Sequence, residues 1–170
     1  MSGLLNFLPR PRRVLACLLF VLAGATGFAR IGESLDLLTK RFGKSPERES
    51  PKHMAVWFIE SIDGALVYTV TLNAKGVSIA EGIKPLKRGQ LTEKIATDFL
   101  QDQMVLLKDS KTARQVKAGE KYSFAGQSFT CAPEEFVMLD EERGLLLVWS
   151  RAALPSVMAV TREMLEHPPE

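Results

Sequence analysis

Residues 65–72 read Ala-Leu-Val-Tyr-Thr-Val-Thr-Leu, and this stretch decides the fold class. Apolar side chains occupy every second position from Leu66 to Leu72, and the two threonines fall between them. A period of two is typical of a β-strand with one face on a core and the other toward solvent. Asp63-Gly64 before it and residues 73–76 after it have the composition of tight turns, so we expect antiparallel neighbours on both sides.

The segments on either side complete a β-meander. Residues 54–59 are apolar on both faces and include Trp57 and Phe58, which predicts a strand that is covered on both sides. Residues 77–83 form the third predicted strand. One face of this three-stranded sheet is then available for a helix.

Two helices are predicted around the meander. Ser34 is suited to the N-cap of a short N-terminal helix over residues 35–42, and Gly43 is suited to its left-handed C-cap. The polar residues 44–52 that follow predict an exposed loop. A middle helix at about residues 92–103 has one apolar side, which we expect to cover the sheet.

The rest of the chain repeats the β-rich pattern. After a basic and polar segment, four further strands are predicted at residues 121–124, 127–131, 136–139 and 145–149. Pro155 is acceptable near a helix start, and an apolar stripe beyond it predicts a C-terminal helix at about residues 155–165. The fold class is therefore α+β, with antiparallel β-meanders and three helices.

The first 29 residues differ from the rest of the chain. They contain no Asp or Glu, they hold Arg10, Arg12 and Arg13, and they end in an apolar run over residues 14–29. This pattern predicts a signal peptide that is cleaved after Ala29. The protein is then exported, and either periplasmic or secreted. The alternative is a retained anchor in the inner membrane, with membrane contact only through residues 14–29.

The export route and the domain count follow from the same pattern. Arg12-Arg13 also fits a twin-arginine signal, so the sequence leaves open whether export uses the Sec or the twin-arginine pathway. Residues 30–170 are expected to form a single α+β domain, or two β-rich halves at residues 30–90 and 91–170.

Composition excludes several classes of protein. Hydrophobic residues make up 46% and charged residues 25% of the chain, which argues against disorder, collagen and a multi-span membrane protein. The formal net charge is +2, and outside the leader the chain is nearly neutral, so no nucleic acid is expected as a partner. Cys17 lies in the leader, and Cys131 alone cannot form an internal disulfide.

The opening of the mature chain carries a family resemblance. Its pattern is Gly32-x-x-Leu35-x-x-Leu38-x-x-x-Phe42-Gly43-x-x-Pro46. With the strands that follow, residues 31–83 resemble the SmpA/OmlA-like small envelope lipoproteins. The whole mature chain also resembles uncharacterised exported proteins of verrucomicrobial-type bacteria. The first resemblance implies a role as an assembly partner in the bacterial envelope.

Few residues have the chemistry of a catalytic or metal site. Cys131 could act as a nucleophile with His53 as its base, but a single cysteine on a predicted strand is usually a small buried hydrophobe. Neither His53 nor His167 has a second histidine or cysteine at metal-ligand spacing. The acidic residues 140–142 lack the pattern of a calcium loop, and Asp140, Glu141 and Glu142 are predicted to form a solvated turn.

Two other groups have alternative interpretations. Trp57, Phe58 and Trp149 could line a ligand pocket, but aromatic residues on strands belong more often to the core. A basic group could contact anionic lipid or polysaccharide, although an exposed loop is the favoured interpretation. This group contains Lys108, Lys111, Arg114 and Lys117.

No Walker loop, dinucleotide fingerprint, nucleophile elbow or His-Glu-x-x-His motif occurs in the sequence. We therefore assign no catalytic, cofactor-binding or metal-binding residue and expect no cofactor. The sequence predicts an exported, non-enzymatic interaction domain whose partner is an envelope protein or a cell-surface component. The alternative is an enzyme with a dispersed catalytic site.

Overall fold

A computed structural model describes residues 27–50, 53–61, 64–86 and 91–169. In this part of the chain, three helices and two runs of antiparallel strands form an α+β fold, as predicted. The helices are α1 (Leu35–Phe42), α2 (Glu93–Met104) and α3 (Arg162–Glu166), and a 3-10 turn at Val105–Leu107 follows α2. The strands are β1 (Arg48–Ser50), β2 (Met54–Ser61), β3 (Gly64–Leu72), β4 (Ser78–Pro85), β5 (Arg114–Val116), β6 (Lys121–Phe124), β7 (Gln127–Thr130), β8 (Glu135–Asp140), β9 (Leu145–Ser150) and β10 (Ser156–Thr161).

Eight strands form one antiparallel sheet in the order β1-β2-β3-β4-β10-β9-β8-β5, and β6 and β7 form a separate hairpin. The order divides the sheet into two similar halves. Each half begins with a helix and an outer three-residue strand, and the chain then moves inward to the centre of the sheet. The last strands of the two halves, β4 and β10, pair with each other, with Ile83 opposite Val157 and Ala80 opposite Val160.

The main core lies between the sheet and the first two helices. Leu38 of α1 and Phe99 of α2 are completely buried against it. One row of core side chains crosses six strands through directly paired residues, and it consists of Trp57, Tyr68, Ile83, Val157, Trp149 and Phe136. Because this core contains residues of both halves, neither half buries its apolar surface alone.

The N-terminal helix and the middle helix are confirmed. The Ser34 hydroxyl accepts a hydrogen bond from the Leu37 N–H, and Gly43 ends α1 with a φ of +67°. Thr92 caps α2 through the Ile95 N–H. The predicted meander and the predicted turn at Ala125-Gly126 are also present.

The predicted C-terminal helix at about residues 155–165 is wrong over most of its length. Ser156–Thr161 is the central strand β10, and only Arg162–Glu166 is helical. Val157 and Ala159 point into the main core, whereas Met158 points to the other face, which is the period of a strand. Pairing on both sides with β4 and β9 overrides the helical stripe.

Two predicted loops contain strands. β1 lies within residues 44–52, and β5 lies within residues 108–117. Each has only three residues and stands at an edge of the sheet, so neither is long enough to show a period.

The prediction that the first strand is covered on both sides holds at Val56, which is 8% exposed on the outward face, but is wrong at Phe58. In β2, Trp57 is completely buried, but Phe58 is 40% exposed on the opposite face.

The predicted leader, residues 1–29, lies outside the described residues apart from residues 27–29. In the described ranges, no helix combines the length and the apolar character that crossing a membrane requires.

Candidate functional site

The sheet face that points away from α1 and α2 is covered only in its C-terminal half. There the β6–β7 hairpin packs Tyr122 and Phe124 against Val137 and Leu139 of β8 and Leu146 of β9. This small second core also contains Cys131 and Val116. The hairpin therefore forms a second layer over the β5, β8 and β9 side of the sheet.

The other half of the same face has no such layer in the described part of the chain. We call this surface the open face, and it consists of the outward side chains of β2, β3, β4 and β10. A row of directly paired residues runs from the open face to the covered half, namely Val56, Thr69, Gly82, Met158, Val148 and Val137. The open face thus continues the surface that the hairpin covers.

The open face is apolar and has a shallow centre. Phe58 is 40% exposed and Met158 is 38% exposed, although side chains of this type are usually buried. Gly82 leaves the depression between them. A Cβ atom at Gly82 would lie 3.5 Å from the Val157 carbonyl and 3.6 Å from both the Met158 Cβ and the Thr69 Oγ1, so a methyl group would fit there in ordinary van der Waals contact.

A groove of about 540 Å³ adjoins the open face at the end of β3, β4 and β10. Its floor is formed by Val67, Lys84 and Ser156, and its walls by Leu86 and the 154–155 loop. Leu154 is 83% exposed, and Leu86 is 53% exposed. The groove and the open face adjoin each other, and their exposed apolar side chains are Phe58, Met158, Leu86 and Leu154.

Only two charged side chains stand among the outward residues of these strands, as far as the structure describes them. Glu60 lies on β2 and Lys84 on β4, and both are exposed. Neither of them forms an ion pair with a described residue. Among the described side chains of β2, β3, β4 and β10, the open face therefore carries one charge of each sign without an ion-pair partner.

A buried polar cluster lies on the opposite side of the sheet, beneath the helices. The Tyr68 hydroxyl donates to Glu81 Oε2 over 2.5 Å, and Gln103 Nε2 donates to the same oxygen over 3.0 Å. Each of these side chains is at most 2% exposed. Burial raises the pKa of Glu81, against the lowering effect of its hydrogen bonds. Burial and the adjacent carboxyl hold the pKa of Tyr68 well above its ordinary value.

This cluster holds residues 27–33 against the core. Gln103 donates to the Ala29 carbonyl over 2.6 Å and accepts from the Ile31 N–H over 3.1 Å. Ser78 bonds the same segment through the Arg30 carbonyl and the Gly32 N–H. Because residues 27–33 and the helices enclose the cluster, we interpret it as an anchor and not as a substrate site.

The sequence reasoning missed this cluster. Glu81 has the strand phase of Ile83, and Ile83 points into the core. Gln103 lies one turn beyond Phe99 and Leu100 on the apolar side of α2. The signal in the sequence was a polar residue at a position where the alternation of the strand or the helix points into the core. The spacing of residues does not show which buried donors and acceptors form hydrogen bonds with each other.

The structure separates Cys131 from His53. Cys131 is 1% exposed beside β5, whereas His53 is exposed in the turn before β2. Cys131 packs against β5 at one edge of the sheet and His53 lies just before β2 near the other edge, so several strands separate the two residues. Burial raises the pKa of the Cys131 thiol, which disfavours the thiolate.

The predicted solvated turn at Asp140, Glu141 and Glu142 is wrong for its first residue. Asp140 is completely buried and accepts hydrogen bonds from the Thr112 hydroxyl and the Arg143 N–H, whereas Glu141 and Glu142 are exposed. Burial raises the pKa of Asp140, but its hydrogen bonds with Ser110, the Arg143 N–H and Thr112, together with the Arg143 charge, outweigh this effect and lower the pKa. No cluster of potential metal ligands occurs in the described ranges.

The remaining candidates are distributed over the surface and the core. His167 is exposed in the C-terminal segment. The basic side chains of Lys108, Lys111, Arg114 and Lys117 are exposed, and Arg114 forms an ion pair with Glu120 over 2.6 Å. Trp57 and Trp149 pack on the main core, and Phe58 alone of the three aromatic residues belongs to the open face.

No protein-family model matches this chain, and no curated protein or solved structure is similar to it at a significant level. The resemblances to SmpA/OmlA-like envelope lipoproteins and to exported verrucomicrobial-type proteins therefore stay predictions.

Proposed function

We propose that this protein is a non-enzymatic interaction domain that is exported to the bacterial envelope and binds a partner through the open face. One observation carries this proposal. The β6–β7 hairpin covers one half of the outer sheet face, whereas no described segment forms a second layer on the other half, where Phe58 and Met158 are exposed beside the buried Val56 and Val67. Contiguous exposed apolar side chains on a soluble protein often mark a site of interaction.

The arrangement of polar groups supports binding over catalysis. An active site needs polar side chains that converge in a cleft open to substrate. Tyr68, Glu81 and Gln103 do converge, but they are buried and bonded to each other and to residues 27–33. The surface that is open to a partner is apolar.

Site-specific photo-crosslinking tests the proposal. A photoreactive amino acid replaces Phe58 or Met158, and the matched control places it at Gln115 or Lys121, which are exposed in the other half. We expect a discrete protein adduct from the open-face positions in cells that make the protein, and none from the controls. Equal adducts at all four positions, or none at Phe58 and Met158, would contradict the proposal.

A further inference from the structure

We infer that a signal peptidase cleaves this chain after Ala25, so that the exported protein begins at Thr26 and keeps residues 27–29 as part of its folded domain. This inference rests on the export that the proposed function includes, and it does not depend on the open face.

The fold uses residues that cleavage after Ala29 would remove. Ala29 is completely buried in the main core, and the Phe28 ring packs on the rings of Tyr68 and Phe99. The Phe28 carbonyl accepts a hydrogen bond from Arg41 Nη1 over 3.3 Å. Both the side chains and the backbone of this segment therefore belong to the domain.

The polar contacts of Ala29 also favour an earlier cleavage site. Gln103 Nε2 donates to the Ala29 carbonyl and to Glu81 Oε2. A chain that began at Arg30 would leave one of these buried N–H groups without its acceptor, which is unfavourable. It would also place the charged amino terminus of Arg30 directly beside the buried position of Ala29, where a charge without a partner is costly. A start upstream of Gly27 avoids both effects.

The leader contains a cleavage site at the position that these contacts require. Signal peptides end in a small-residue site of the Ala-x-Ala type. Ala23-Gly24-Ala25 has alanine at both of these positions, whereas Gly27-Phe28-Ala29 has alanine at only one. The nine residues 14–22 before this site are all apolar. Their number lies within the usual range of about 7–15 for the apolar segment of a signal peptide.

The charges at this end of the domain are suited to a new amino terminus. A Cβ atom at Gly27 would lie 3.3 Å from Asp102 Oδ2 and 3.4 Å from Arg41 Nη1, so the Gly27 backbone passes beside both groups. Arg41 forms an ion pair with Glu33, but Asp102 forms none with a described residue. Asp102 also lies in the last turn of α2, where the helix dipole disfavours a carboxylate. A positive α-amino group one residue before Gly27 would offset that negative charge.

The reaction is the hydrolysis of one peptide bond. Water adds to the Ala25 carbonyl carbon, and the C–N bond to Thr26 breaks. Ala25 becomes a carboxylate at the end of the released leader, and Thr26 keeps a protonated α-amino group. The water comes from solvent, and the membrane-bound signal peptidase of the cell supplies the catalytic groups.

N-terminal sequencing and the intact mass of the exported protein test the inference. The full chain is expressed in a Gram-negative host and recovered from the envelope and periplasmic fractions. We expect a single mature form that begins with Thr26-Gly27-Phe28. A form that begins at Arg30, or one that retains Met1, would overturn the inference.

A matched pair of variants locates the cleaved bond independently of folding. Ala25→Leu and Ala29→Leu each place a bulky side chain where a cleavage site needs a small one. Ala25→Leu should abolish the Thr26 form, whereas Ala29→Leu should yield it at the wild-type rate. Precursor and mature forms are separated in denatured, pulse-labelled samples, so a folding defect at the buried Ala29 does not affect the result. Normal processing of Ala25→Leu would overturn the inference, and so would a block in Ala29→Leu.

The outcomes separate this inference from the proposed function. An exported protein that begins at Arg30 or retains Met1 contradicts the cleavage site and leaves binding through the open face standing. A protein that stays in the cytoplasm contradicts both, because the proposed function requires export.

Discussion

Glu81 occupies a position where an aliphatic side chain would fit. Its neighbours across the sheet are Val70 on β3 and Ala159 on β10, both completely buried. A buried carboxyl is costly unless hydrogen bonds replace its hydration. Tyr68 and Gln103 supply two such bonds to Oε2, while Oε1 has no hydrogen-bond partner. The charged form is therefore the disfavoured one, and the pKa of Glu81 is raised.

This raised pKa has a measurable consequence for stability. Between the ordinary value of 4.5 and the folded-state pKa, the folded protein holds a proton that the unfolded chain has lost. The stability that Glu81 contributes is therefore complete below pH 4.5 and is lost as pH rises through the folded pKa. Glu81→Gln keeps an acceptor for Tyr68 and removes the titration. Urea denaturation at several pH values measures the free energy of unfolding of wild type and of Glu81→Gln. We expect the difference, wild type minus variant, to fall as the pH rises.

Glu81→Ala is the contrasting variant for that experiment. It leaves the Tyr68 hydroxyl without its acceptor in a buried site, which costs about 1–3 kcal/mol for each unsatisfied group. A pH-independent difference between wild type and Glu81→Gln would show that Glu81 does not titrate as a buried acid.

At the scale of elements, residues 27–33 behave as part of the domain. The Phe28 ring lies 6.3 Å from that of Tyr68 and 5.9 Å from that of Phe99, and Ala29 is completely buried. Cleavage after Ala29, as the leader pattern predicts, would remove both residues. We expect a chain that begins at Arg30 to be about 3–5 kcal/mol less stable to urea than one that begins at Gly27, because losing a packed aromatic side chain costs this much.

Phe28→Ala in the longer chain separates the causes of that loss. It removes the ring but keeps the Ala29 carbonyl for Gln103. Equal stability of the two chain lengths would mean that residues 27–29 do not belong to the folded domain.

The exposed edge of β2 is protected by a side-chain pair. Beyond the short strand β1, Glu47 accepts from the Phe58 N–H over 3.0 Å, and Lys44 donates to the Phe58 carbonyl over 2.8 Å. The two side chains also bond each other over 2.6 Å. They occupy the backbone groups that another strand would use, and edge strands with free groups promote aggregation.

Glu47→Ala should therefore increase aggregation through this edge. We expect faster growth of light scattering on mild heating, with little change in the unfolding midpoint. Glu47→Gln, which keeps an acceptor for the Phe58 N–H, should resemble wild type. Unchanged scattering in Glu47→Ala would mean that the edge needs no protection.

Elements with local causes could be predicted from the sequence. Ser34, Gly43 and Thr92 cap their helices through hydrogen bonds to residues nearby in the sequence. The alternation of apolar and polar residues over 65–72 is likewise sufficient to predict the strand that contains it. β10 could not be predicted, because its conformation depends on pairing with β4, more than 70 residues earlier. The same holds for Glu81 and Gln103, which are 22 residues apart. Nor does alternation reveal that β2 lacks a cover.

At the scale of the whole molecule, one core connects two similar halves. The chain has two tryptophans, and each half holds one, at Trp57 and Trp149. Both pack on the same core beneath the helices. In Trp57→Phe and in Trp149→Phe, the fluorescence comes from the one remaining tryptophan. We expect each variant to unfold in urea in a single fluorescence transition, and the two midpoints to differ only by the effect of each substitution on stability. The physical reason is that the central β4 and β10 pair has no core of its own in either half.

Circular dichroism at 222 nm serves as the common reference for both variants. Two separated fluorescence transitions would show that residues 30–90 and 91–170 unfold as independent domains.

Cys131 can report when the β6–β7 hairpin detaches from the sheet. Cys131 lies under the β6–β7 hairpin, with Sγ 3.9 Å from the Val116 carbonyl and 3.7 Å from that of Ala132. A thiol reagent can reach it only when the hairpin lifts from the sheet. In a Cys17→Ser chain, the labelling rate measures how often this happens in the native protein, and Phe124→Ala should accelerate it. The residue that first suggested a nucleophile thus becomes a gauge of local breathing in the fold.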